Sequence, residues 1–267
     1  MLAFANAKIN LGLNVTGKRP DGYHNLETVF YPVKLYDVLE ITVSNETSFE
    51  AAGIFIPGDN KDNICLKAYN LLRSDYDLPA LKITLLKNIP VGAGLGGGSA
   101  DAAFLIKLIN DKFALEMSAG KMEDYARQLG ADCAFFITNK PVYAFDKGDR
   151  FEDLEVDLSH YFKVLVKPAV HVSTADAYAG LSPALPEVNL KELISLPVTE
   201  WRGKLKNDFE DRIFVKYPEI SRIKEQLYLA GATFALMSGS GSSVFALFEK
   251  AVKLPQLETD NKVYYNI

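Results

Sequence analysis

The stretch PVGAGLGGGSADAA, Pro90 to Ala103, decides how the rest of the chain is read. Gly92, Gly94, Gly96, Gly97 and Gly98 crowd together just before Ser99. Ahead of them Leu81 to Leu86 alternates like a strand, and after them Ala102, Leu105, Ile106 and Ile109 follow helical spacing. A strand, a glycine loop and a helix in that order suit an anion. Glycines let successive backbone N–H groups turn toward one ligand, and the helix N-terminus adds unpaired N–H groups at its positive end. Ser99 supplies a hydroxyl for a phosphate oxygen or for magnesium. A plain flexible turn is the alternative, but five glycines between two patterned elements carry an entropy cost that calls for a reason.

Two common phosphate loops do not fit. A Walker A loop ends in Gly-Lys-Ser/Thr, and no lysine stands here. Gly92, Gly94 and Gly97 match G-x-G-x-x-G, and Glu116 lies near the distance expected of a ribose acid. In a dinucleotide fold, however, the strand runs straight into the first glycine. Here Lys87, Asn88, Ile89 and Pro90 intervene, and the motif sits far from the N-terminus.

Outward from the loop, strands and helices interleave. Ala5 to Val15 alternates, with Ala7, Ile9, Leu11 and Leu13 on one face and Lys8, Asn10 and Asn14 on the other. This predicts a strand with one buried face. Further strands are expected at Asp37 to Ser44, Tyr143 to Phe145, Phe162 to Val166 and Val244 to Phe248. Helical spacing marks Cys65, Ala68, Tyr69 and Leu72, and again Met122, Tyr125, Ala126 and Leu129. Gly130 is expected to end the latter helix in a left-handed cap. Short helices are expected at 176–179, 190–194 and 208–215, and a longer one at 220–229. The fold class is α+β (mixed α/β) in two lobes, residues 1–155 and 156–267, with the boundary near 153–159.

The 267 residues are 48% hydrophobic and 24% charged, enough apolar content for a sizeable core. A net charge of −5 without a basic stripe argues against a nucleic acid partner. No stretch reaches the ~18 apolar residues of a membrane helix. The opening MLAFANAKINLGLNV has no basic segment ahead of a long apolar run, so a cytoplasmic location is expected. Cys65 and Cys133 make no disulfide framework and read as small apolar fillers. Together with His24, His160 and His171 they make no zinc spacing, and no metal ligand set is identified.

The loop resembles the Pro-x-x-x-Gly-Leu-Gly-x-x-Ser-x-Ala motif of the GHMP kinases, through Pro90, Gly94, Leu95, Gly96 and Ser99. Other segments narrow the resemblance to the 4-diphosphocytidyl-2-C-methyl-D-erythritol kinases of the non-mevalonate isoprenoid pathway. They are AKINLGLNVTGKRPDGYHNLETVF (7–30), DNICLKAYNLL (62–72), LGADCAFFI (129–137), NDFE (207–210) and MSGSGSSVFALF (237–248). Cys133 and Ala134 depart from that family's usual Val-Pro. The resemblance implies an N-terminal ATP-binding α/β lobe, a C-terminal ferredoxin-like lobe, ATP with magnesium, and an acceptor carrying a cytidine diphosphate group. It implies Lys8 and Asp132 as the catalytic pair. Asn10, Tyr23, His24 and Tyr178 would hold the acceptor. Asn63, Lys87, Pro90, Gly92, Gly94, Leu95, Gly96, Gly97, Gly98 and Ser99 would hold ATP, with Ser99 a potential magnesium contact.

The residues themselves speak less sharply. A lysine on a strand's polar face is more often solvated than buried. Asp132 follows a helix C-terminus, where a carboxylate is disfavoured, and enters the apolar run Cys133 to Ile137, so it needs a cationic partner. An ordinary turn aspartate is the alternative. His24 reads as a turn histidine, Tyr178 as core, and the run Ser238 to Ser243 as either a hairpin turn or a second anion-facing loop. Two other functions stay open: a homoserine or mevalonate type of GHMP kinase, and a non-catalytic nucleotide-binding module.

Overall fold

Both flanks of the glycine loop form as their spacing predicts. In a computed structural model describing residues 1–179 and 181–267, Leu81–Lys87 is a strand and Gly97–Phe113 a helix. The chain divides into two compact units, each woven from several stretches. One comprises Met1–Lys8, Pro32–Val91 and Gly96–Lys140, and the other Ile9–Tyr31, Gly92–Leu95 and Pro141–Ile267.

The first unit takes the start of β1 (Leu2–Lys18) and the later part of β2 (His24–Val43). To these it adds β3 (Ser48–Gly53), α1 (Ile64–Asp75), β4 (Leu81–Lys87), α2 (Gly97–Phe113), α3 (Ala119–Leu129) and α4 (Phe135–Thr138). β4 runs parallel to β3 on one side and antiparallel to β2 on the other. Helices α1, α2 and α3 pack on one another. α1 buries Cys65, Ala68, Tyr69 and Leu72, the four residues its spacing singles out. Two local expectations fail. Gly130 has φ 171°, which is extended rather than left-handed, because a new turn already begins there, with Cys133 N–H donating to the Gly130 carbonyl at 3.1 Å. β1 is covered on both faces, and Asn6, Lys8 and Asn10 are as buried as the apolar residues between them. In this unit Asn6 exchanges side-chain hydrogen bonds with Asn139, which closes the face that alternation had left to solvent.

The second unit pairs β5 (Val142–Phe145) with the early part of β2 and with β6 (Arg150–Asp153), antiparallel in both cases. After β7 (Phe162–Pro168) come α5 (Thr174–Tyr178), α6 (Leu190–Ser195), α7 (Glu210–Lys216) and α8 (Pro218–Leu229). β8 (Phe234–Met237), β9 (Val244–Phe248), α9 (Pro255–Glu258) and β10 (Asn261–Tyr265) complete it. The sheet order is β10-β7-β9-β8, antiparallel throughout, which is the ferredoxin-like order expected of this lobe. α8 buries Ile220, Ile223 and Leu227 in a core shared with Val164, Val166, Met237 and Val244. Sheet and helices thus form one layered core, and the Gly/Ser turn emerges from it between β8 and β9.

Candidate active site

In the first unit the buried end of Lys8 meets Asp132. Lys8 Nζ lies 3.3 Å from Asp132 Oδ2; the lysine side chain is 4% exposed and the aspartate 35%. The ammonium is sealed in while one side of the carboxylate stays open. An exposed-lysine reading therefore fails, and the partner that Asp132 required is Lys8. The glycine loop touches the same group. Gly96 has φ +68°, and a Cβ there would sit 3.2 Å from Lys8 Cε and 3.0 Å from Phe136 Cζ. Ser99 adjoins the Cys133 thiol, whose pKa burial pushes up to about 12. That thiol and the fully buried Cys65 thiol, also shifted upward by burial, stay protonated fillers.

Gly98 is the exception among the loop glycines. A Cβ there would meet nothing within 4 Å, so no protein atom explains the missing side chain. Open space at a helix N-terminus, with N–H groups unused by the helix, fits a phosphate. No cluster of three His, Cys, Asp or Glu side chains suited to a metal occurs among the described residues. Asn63 caps α1, its Oδ1 accepting the Cys65 N–H at 2.9 Å, which leaves its Nδ2 side for a ligand.

Lys87, expected as an ATP contact, is almost wholly buried, its side chain 3% exposed. Its ammonium is enclosed by two buried carboxylates, donating to Asp101 Oδ2 at 2.7 Å and to Asp37 Oδ2. Asp37 Oδ1 also accepts the N–H groups of Asn88 and Ile89, at 2.6 and 2.8 Å. Burial pushes the Asp101 carboxyl up to about 8, partly countered by Lys87 and reinforced by the Asp37 charge. Burial also works against the Lys87 charge, but Asp101 and Asp37 outweigh it and hold the ammonium's pKa up. Pro90 follows this cluster and is buried.

In the second unit the first half of the loop rests on the Gly/Ser turn. Ser238 Oγ donates to the Gly94 carbonyl at 2.8 Å and accepts the Asn10 N–H at 3.3 Å. The Ser243 N–H donates to the Ala93 carbonyl at 3.3 Å. A Cβ on Gly94, where φ is +78°, would fall 1.9 Å from the Ser238 carbonyl oxygen, and one on Gly92 would fall 2.5 Å from His171 Cε1. These two glycines are thus required by close protein neighbours; Leu95 beside them is buried. Asn10 Nδ2 donates to Thr28 Oγ1 at 2.9 Å.

The Asn-Asp-Phe-Glu motif holds the base of that turn, a role its sequence did not disclose. Asn207 Nδ2 donates to the carbonyls of Met237 and Gly239, both at 2.8 Å, and Glu210 Oε1 accepts the Met237 N–H at 2.9 Å. His24 and Tyr178 come together, stacked at 4.8 Å and 25°, with Phe209 meeting Tyr178 edge-on. Tyr23 is 63% exposed, and Lys147 Nζ lies 5.2 Å over its ring.

Residues 63–140 match the N-terminal domain of the GHMP kinases, and residues 190–261 match their C-terminal domain. The chain belongs to the GHMP kinase family. A curated protein of Parabacteroides distasonis, named 4-diphosphocytidyl-2-C-methyl-D-erythritol kinase, is 54% identical over 94% of this chain and 92% of its own. A Bacteroides fragilis protein of the same name is 53% identical over 97% and 96%. A crystal structure of 4-(cytidine 5'-diphospho)-2C-methyl-D-erythritol kinase superposes with a TM-score of 0.81 at 28% identity, covering 99% of this chain and 98% of that one. As a GHMP kinase the chain is an ATP-dependent small-molecule kinase. No helix among the described residues is long and apolar enough to cross a membrane.

Proposed function

We propose that this GHMP kinase transfers the terminal phosphoryl group of ATP to the 2-hydroxyl of 4-diphosphocytidyl-2-C-methyl-D-erythritol, in the cytoplasm. The observation that carries the chemistry is the Lys8–Asp132 pair, sealed on the lysine side and open on the carboxylate side. Relatives above half identity over nearly the whole chain support the choice of acceptor.

Phosphoryl transfer is mostly positioning and charge stabilisation around a loose transition state. Lys8 holds Asp132 in place, and the half-exposed carboxylate of Asp132 orients the acceptor hydroxyl and takes its proton late. Asn10 stands two residues from Lys8 on the same strand and serves the acceptor end. The N–H groups of Gly96 to Ser99 hold phosphate oxygens. The Ser99 hydroxyl would help hold magnesium, which would supply positive charge to neutralise the phosphates. Asn63 contacts the base of ATP. Tyr23, His24 and Tyr178 hold the cytidine diphosphate end, and Lys147 adds a positive charge beside Tyr23. Residues 1–155 form the ATP-binding domain and 156–267 the second domain.

The test offers ATP and magnesium with a panel of alcohols: the diphosphocytidyl compound, homoserine and mevalonate. The expected product is the phosphomonoester of the first alone. Cytidine diphosphate compounds at ~100 times their dissociation constant should also stabilise the fold by ~2.7 kcal/mol. Thermal protection by homoserine or mevalonate instead would sink the assignment.

A further inference from the structure

The Lys87 cluster lies outside the chemistry just described, yet it grips the loop that serves it. Lys87 closes β4, and Asp101 stands in the early part of α2. Between them run Asn88 to Gly96, and the first two N–H groups of that connection are held by Asp37. Lys87 Nζ would lie 3.0 Å from a Cβ on Gly97, so the ammonium sits directly under the first residue of α2. The cluster is buried on every side: Lys87 is 3% exposed, Asp37 0% and Asp101 3%.

Two acids and one ammonium in the interior are a costly way to join a strand to a helix, because well-packed apolar residues would do so at lower desolvation cost. What charges add is directional geometry. The ammonium fixes Asp101 and Asp37 relative to each other, and hence fixes the helix start relative to the strand end. One Asp101 oxygen is buried without a hydrogen-bond partner among the described residues, so polar satisfaction alone does not account for the arrangement.

We propose that Lys87, clamped between Asp37 and Asp101, is a positioning residue for the nucleotide: it sets the orientation of the Gly96–Ser99 N–H groups without touching ATP. This rests on the proposed role of those N–H groups in holding phosphate. It replaces the direct ATP contact that the family resemblance implies for Lys87.

The obvious variant, Lys87→Met, strands two buried carboxylates and risks the fold. Asp101→Ala is the better probe. It cuts the tie to α2 and leaves the Lys87–Asp37 pair whole. Asp101→Asn keeps an oxygen acceptor for the ammonium and serves as the conservative rescue. Binding of magnesium-ATP and of the diphosphocytidyl acceptor is measured separately by calorimetry on wild type and both variants. The expected result is a roughly tenfold weaker ATP dissociation constant in Asp101→Ala, as misplaced binding groups produce. Acceptor affinity should be unchanged, and ATP affinity should be restored in Asp101→Asn. Wild-type ATP affinity in a folded Asp101→Ala protein overturns the proposal, and so does an equal loss for both ligands, which marks general loosening. A wild-type protein that binds no ATP fails the functional reading itself and is distinguishable from both.

Discussion

Two lysines of the first unit each meet carboxylates, and the two clusters differ in how far solvent reaches the acids. Lys8 faces one carboxylate that is 35% exposed. Lys87 faces two that are nearly inaccessible. A carboxylate with an open side can receive a hydroxyl and its proton. One sealed on all sides can only hold geometry. Charge complementarity is common to both; solvent access is what separates the proposed reacting pair from the proposed clamp. The lesson is that a lysine beside an aspartate is ambiguous until the exposure of the acid is known.

The sharpest way to break this contrast is to mutate the open pair. Asp132→Asn should lower turnover by at least ~10²–10⁴, the usual worth of general acid–base assistance, with ATP affinity nearly intact. Lys8→Met should also lose turnover. The double variant should lose less than the sum of the two free energies, because the residues act as a unit. Steady-state kinetics on the three variants decide it; near-wild-type turnover in Asp132→Asn, or strictly additive losses, removes the pair from the catalytic centre.

The sealed cluster should respond in stability instead. Lys87→Met leaves two buried acids without their cation and should cost about 3–5 kcal/mol in urea unfolding. Lys8→Met should cost less, since Asp132 retains contact with water. Equal losses would erase the distinction. A third change calibrates both clusters from outside. Tyr178→Ala removes a proposed base platform and should weaken acceptor binding by ~1–3 kcal/mol while sparing ATP. A folding defect, or equal loss for both ligands, would return Tyr178 to the core.

A separate expected effect is a slope with pH. The Asp101 carboxyl has a folded value of about 8 against an ordinary 3.8, so the folded chain keeps a proton that the unfolded chain has released. The stability contributed by that proton is complete below the ordinary value and is lost as pH rises toward about 8. Asp101→Asn cannot titrate and should flatten this part of the stability profile. An unchanged slope between those limits would show that Asp101 shares no such proton.

Much of this was legible along the chain. Spacing alone marked the apolar face of α1, and the strand, glycine loop and helix order marked a candidate anion site. Asp132 announced its need for a cation through its neighbours, a helix end and an apolar run. Lys8 did not announce itself as that cation. Its strand alternates as though one face were wet, and alternation records which residues differ, not what covers them. The motif at 207–210 was visible as a motif but mute as to role, because its partners, Met237 and Gly239, are distant in sequence.

The sequence by itself determined the local geometry: where glycines free the backbone, where helices bury their faces and which loop could receive phosphate. These follow from steric and periodic rules that act over a few residues. Only the tertiary structure decided which lysine has an accessible acid and which is locked away. Burial of a charge depends on atoms brought from far along the chain: Asp132 for Lys8, Asp37 for Lys87. Local pattern carries no record of that distance.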